Sequence, residues 1–145
     1  MTATDTHDRV RRLQNTETAL RLVAATGLLI DAAVHLHLAH RYDPLVAVTV
    51  SQGALFRVEA AAATLAMALV LVRRRAAADL YALAVAAGGL AALLLDSCAD
   101  IGTLGPLPGM YEPSWPAAKT LTACGQGIAA AALLALAAGH RRHHP

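Results

Sequence analysis

ALFRVEAAAATLAMALVLVRRR, residues 54–75, decides the class of this chain. Residues 54–72 are apolar apart from Arg57, Glu59 and Thr64, and three consecutive arginines end the run. About 20 such residues span a hydrocarbon layer ~30 Å thick. A positive cluster directly after them is how a membrane helix is held on its cytoplasmic side.

Working outward, residues 19–38, 77–98 and 117–138 repeat the pattern. With 51–72 they make four spans, and residues 39–50 and 101–116 become the loops on the opposite side. In a 145-residue chain that is 57% hydrophobic, this leaves one integral membrane domain, residues 1–145, and no room for a separate soluble catalytic unit. A soluble bundle of Ala-rich helices would need polar faces that these segments largely lack. The fold expected is all-α, an up-down-up-down four-helix bundle.

Orientation follows from the basic residues. Arg9, Arg11, Arg12, Arg21, Arg73, Arg74, Arg75, Arg141 and Arg142 fall on one side, while Arg41 and Lys119 fall on the other and Arg57 lies within a span. The bias places both termini in the cytoplasm of a bacterial inner membrane. A net charge of only +2, with its arginines at span ends, argues against a nucleic-acid surface. The first apolar run is too long for a cleaved leader and carries Asp31. Residues 1–18 read as a polar, partly irregular lead-in, and Gly53 as a kink. Asp79 is expected to snorkel at the cytoplasmic interface. Cys98 and Cys124 form no CxxC, and their spacing neither requires nor excludes a disulfide.

The spans are not clean. Asp31, His35, Arg57, Glu59, Asp96 and Asp100 interrupt them, all toward the outer side. Asp31 and His35 are four apart and share a face, as do Asp96 and Asp100. Lys119, Thr122 and Gln126 line one stripe of the last span. Asp31 sits roughly 12 Å below its helix end at ~1.5 Å rise per residue. An unpaired ion there would cost at least ~2.5–3.5 kcal/mol, so pairing is expected: Arg57 with Asp31 or Asp96, and Glu59 with His35 or Lys119. Asp31, His35, Arg57, Glu59, Asp96, Asp100 and Lys119 are thus the candidate lining of an outer-leaflet pocket. The loop bearing Tyr111, Glu112 and Trp115, stiffened by Pro106, Pro108, Pro113 and Pro116, is its expected cap.

Such a cluster suits a proton, a divalent cation, a small ligand or a docking partner. Its alternative role is to fix helix register by ion pairing alone. His35, Glu59 and Asp96 are the candidate metal ligands. The later spans hold no second histidine facing His35, which argues against an intrachain bis-His haem, and no cofactor is firmly implied. Ser51, Ser97 and Ser114 lack a nucleophile context, so the residues support no enzymatic activity. A redox or quinone-linked accessory subunit and a purely structural subunit of a larger complex are the alternatives. The partners expected are the lipid bilayer and a protein partner or second copy.

Two strings carry a resemblance. Ser51-Gln52-Gly53-Ala54-Leu55-Phe56-Arg57-Val58-Glu59-Ala60, after Val34-His35-Leu36-His37-Leu38, resembles a group of small four-span membrane proteins of high-GC actinobacteria. Gly105-Pro106-Leu107-Pro108-Gly109-Met110-Tyr111-Glu112-Pro113-Ser114-Trp115 with Lys119 looks like the outer-loop signature of the same group. It covers about Asp31 to Gln126, and relatives often carry Glu where this chain has Gln126. The resemblance implies fold and location and supplies no reaction. A looser similarity to DoxX-like proteins rests on architecture alone.

Overall fold

The computed structural model describes residues 3–43, 50–100, 102 and 109–142. It contains four helices: α1 (Ala3–Tyr42), α2 (Gln52–Val72), α3 (Ala76–Cys98) and α4 (Ala117–Arg142). Each contains a segment long and apolar enough to cross a membrane. Their main contacts close a ring, with α1 and α3 each packed against both α2 and α4.

Local chemistry sets the ends. Ser51 caps α2, its Oγ accepting from the Ala54 amide at 3.0 Å, which satisfies an otherwise orphaned N–H. The Arg73 amide closes the other end on the Leu69 carbonyl at 2.8 Å. Arg73–Arg75 then turn directly into α3. Within the helices, Thr26, Thr64 and Ser97 return their hydroxyls to the carbonyl four residues earlier, so these polar groups need no partner outside their own helix. Cys98 and Cys124 are unpaired and exposed.

Residues 3–18 are helical and continuous with the first span, not an irregular lead-in. At ~1.5 Å per residue, α1 is roughly 60 Å long, about twice a hydrocarbon layer. Gly53 lies in the first turn of α2, which begins at Gln52 directly after the extended Ser51. A side chain there would strike the Ala39 carbonyl and the Asp43 carboxylate, so glycine lets α2 close on α1. Gly27 and Gly125 do the same between α1 and α4, each lying against the other's carbonyl.

The radial distribution of side chains bears on the solvent. The core is mostly alanine, with Ala24, Ala63, Ala66, Ala82, Ala86 and Ala129 fully or almost fully buried, and only Leu28, Val70, Leu133 and Leu136 add bulk. Large apolar side chains point outward instead, among them Leu22, Leu29, Leu36, Leu65, Leu80, Ile128 and Leu134. In water that arrangement would expose apolar surface on every side. In lipid it is the expected one, since small residues allow close helix packing and large ones dissolve in the acyl chains. The fold is that of a small multi-pass membrane protein.

Candidate functional site

Polar side chains collect in three places inside the bundle. The first joins α1, α2 and α3 near the Arg73–Arg75 turn. Arg21 is 2% exposed and Asp79 is 5% exposed. Their fork-to-fork contact is 2.7 and 3.0 Å, Arg21 Nη1 also donates to the Val70 carbonyl at 3.2 Å, and Nε donates to Glu17 at 3.0 Å. Asp79 therefore turns inward instead of snorkelling. The expectation failed because Arg21, read only as a topology signal, reaches across to it.

The second place lies deeper along α1. Asp31 is fully buried and Gln126 is 1% exposed. Gln126 Nε2 donates to Asp31 Oδ1 at 2.9 Å. His35 Nδ1 stands 3.0 Å from the Asp31 carbonyl and 2.9 Å from Asp31 Oδ1. Both neighbours are acceptors, so Nδ1 carries a hydrogen and Nε2 is the atom left to gain or lose a proton. The ring meets Phe56 edge-on at 5.3 Å. Glu59 joins from α2, and Gly89 of α3 supplies the space: a side chain there would strike both Glu59 Oε1 and Gln126 Nε2.

Donors run out at this layer. Asp31 Oδ2, Glu59 Oε1 and Gln126 Oε1 are buried and have no hydrogen-bond partner among the described residues. Unmet buried acceptors are costly, each by about 1–3 kcal/mol.

The third place is nearer the helix ends. Lys119 Nζ lies 3.3 Å from Asp96 Oδ2, also donates to the Glu112 carbonyl, and sits 5.5 Å from the centre of the Trp115 ring. The Glu112 amide donates to the Asp96 carbonyl at 3.1 Å, and Gln52 Nε2 to the Gly109 carbonyl at 3.2 Å. These bonds draw residues 109–116 across the ends of α2, α3 and α4.

Between the second and third places lies a cavity of about 580 Å³. Its polar lining includes His35, Glu59, Asp96, Lys119 and Gln126, and its apolar lining includes Leu38, Leu55, Phe56 and Leu93. From residues 109–116 it is bordered by Met110, Glu112 and Pro116. Tyr111 and Trp115 are exposed and do not line it. Residues 103–108, part of the expected cap, lie outside the described residues.

Three expected lining residues stand elsewhere, and of these Asp31 is fully buried against His35 and Gln126 without lining the cavity. Arg57 is exposed and pairs with Asp43 through both Nη atoms, at 2.8 Å for Nη1. It therefore reaches neither Asp31 nor Asp96. Helical spacing set it nearly opposite Glu59, and the sequence offered no way to see that the end of α1 passes beside that outer face. Asp43 is consequently held below the usual carboxylate range by the Arg57 guanidinium. Asp100 lies beyond α3, exposed, and accepts from the Gly102 amide at 3.1 Å. Glu112 is also held low, because its carboxylate is stabilised by the Ser114 side chain and then by the Ser114 amide, from which it accepts. Lys119 takes Asp96 as its partner, not Glu59. Among the described residues no group of three or more His, Cys, Asp or Glu is gathered as a metal site.

Sequence reasoning missed Arg21–Asp79 as a pair and Gln126 as a donor. The first had a signal, an arginine two residues inside the first span, while the second had only its place on the Lys119 stripe. No known protein family, curated protein or solved structure matches this chain significantly.

Proposed function

We propose that this chain is a ligand-binding protein of a bacterial inner membrane, without enzymatic activity, and that the cavity bounded by His35, Glu59, Asp96, Lys119 and Gln126 takes a proton, a cation or a small molecule from the outer side. The helices run up-down-up-down with both termini in the cytoplasm. Nine basic residues cluster toward one side and two toward the other, and the three-residue Arg73–Arg75 turn belongs to the basic side. The resemblance to small four-span actinobacterial proteins is part of the same reading.

The observation that carries it is the set of donor-less acceptors on residues that line the cavity, Glu59 Oε1, Asp96 Oδ1 and Gln126 Oε1. Ion pairing for register alone would leave these atoms satisfied, as Arg21–Asp79 does at the other end. A binding site keeps acceptors open for its ligand.

Two measurements test it. In a variant lacking Cys98 and Cys124, Tyr111→Cys should react with an impermeant maleimide added outside and Arg74→Cys should not. Labelling of Arg74→Cys from outside refutes the topology. Thermal stability is then followed while protons, zinc or manganese are added. Wild type should respond, and a variant combining His35→Ala with Asp96→Asn should respond differently. Identical responses reduce the cluster to structural pairing.

A further inference from the structure

The geometry points to a membrane-dissolved amphiphile with a single cationic amine head as the ligand of this cavity, reaching it sideways between α2 and α3. This deepens the binding reading above and rests on it.

The route is visible in the walls. Val58 of α2 and Ala92 of α3 line the cavity and also face outward, Val58 with 67% of its surface exposed. The Arg73–Arg75 turn joins α2 to α3 at one end, and the Tyr81 hydroxyl reaches the Ala62 carbonyl, midway along α2, at 3.5 Å. Further along, α3 presents the small residues Gly89 and Ala92 to the cavity beside α2. A side chain at Gly88 would meet nothing within 4 Å. Gly27 and Gly125 use the absence of a side chain to bring backbones together. The cavity wall between α2 and α3 is bordered instead by the small residues Gly89 and Ala92. Leu55, Val58 and Leu93 give that wall apolar sides suited to an alkyl chain.

Charge selects the head. Asp31 has His35 and Gln126, and Asp96 has Lys119. Glu59 faces Asp31 and His35 of α1, Gly89 of α3 and Gln126 of α4, with no lysine or arginine bonded to it among the described residues. An ammonium brings one charge and three N–H donors. It would neutralise Glu59 and offer donors to the unmet acceptors of the lining residues, Glu59 Oε1, Asp96 Oδ1 and Gln126 Oε1. A carboxylate or phosphate head would add acceptors and like charge, and an alcohol offers one donor and no charge.

The protein in phosphatidylcholine nanodiscs is melted with dodecylamine, butylamine, dodecanol or dodecanoate, using the fluorescence of its single tryptophan, Trp115. Dodecylamine at ~100-fold excess over half-saturation should raise Tm by roughly 5 °C or more, with much smaller shifts for the other three. Glu59→Gln should remove the dodecylamine shift. Ala92→Trp or Val58→Trp, on the exposed rim and followed by circular dichroism because each adds a second tryptophan, should weaken it at least tenfold in half-saturating concentration. An equal shift in Glu59→Gln, or an equal shift with dodecanol, overturns the amine head. Equal shifts with butylamine and dodecylamine, both insensitive to the rim tryptophans, overturn the lateral route while a cavity ligand survives. A response to protons or zinc with none to any amine overturns the amphiphile but keeps the cavity as a binding site. Silence to every probe overturns both.

Discussion

Replacing Asp79 by leucine removes the acceptor that holds Arg21 at 2.7 and 3.0 Å inside the bundle. The arginine would keep one bond to Glu17 and one to the Val70 carbonyl. Its charge would lie where almost no solvent reaches, since only 2% of the residue is exposed. Breaking a buried pair on one side costs about 3–5 kcal/mol, because the surviving ion is stranded, whereas replacing both partners by apolar groups of similar volume is often neutral. At ~3 °C per kcal/mol for a chain of this size, Asp79→Leu should lower Tm by about 10–15 °C. The double variant Arg21→Met with Asp79→Leu should recover most of that loss. Trp115 fluorescence provides the readout, with circular dichroism to follow the helices. A drop of only ~2 °C in Asp79→Leu, or a double variant no better than the single, would refute the idea that this pair joins three helices.

Arg57→Leu should change stability little, because its partner Asp43 is at the surface and exposed ion pairs contribute weakly; a large loss would place Arg57 inside the bundle after all. Asp43 should titrate below the ordinary carboxylate range, and Arg57→Leu should return its midpoint upward in a carboxyl-detected NMR titration. Because the folded-state value is the lowered one, any contribution of this pair is fully present above the ordinary carboxylate range. It is lost as pH falls through Asp43's depressed value. Gln126→Glu replaces the donor to Asp31 with a further carboxyl and should cost about 1–3 kcal/mol at neutral pH, recovering on acidification; equal stability at pH 5 and pH 8 would count against that layer's electrostatics. Gly27→Val puts a side chain against the Gly125 carbonyl and should cost about 1–3 kcal/mol by overpacking, read as a lowered Tm.

What the sequence made legible is what one helix decides by itself. The number of spans, the Arg73–Arg75 turn, and the shared faces of Asp31 with His35 and of Lys119 with Gln126 all follow from length and a 3.6-residue repeat. Partners across helices depend on which outer or inner face a neighbour passes, and no local spacing records that. Arg57 shows the limit. Its 200° separation from Glu59 was readable, yet whether the far face met lipid, solvent or another helix was not, and Asp43 proved to be there. Arg21 shows the converse, for a residue counted as a topology signal is also the core partner of an acid two helices away. The glycines add a third lesson. Gly27 and Gly88 read alike in the sequence, but the first meets a backbone and the second meets nothing. Only the neighbouring helix decides whether a missing side chain makes a contact, as at Gly27, or leaves open space, as at Gly88.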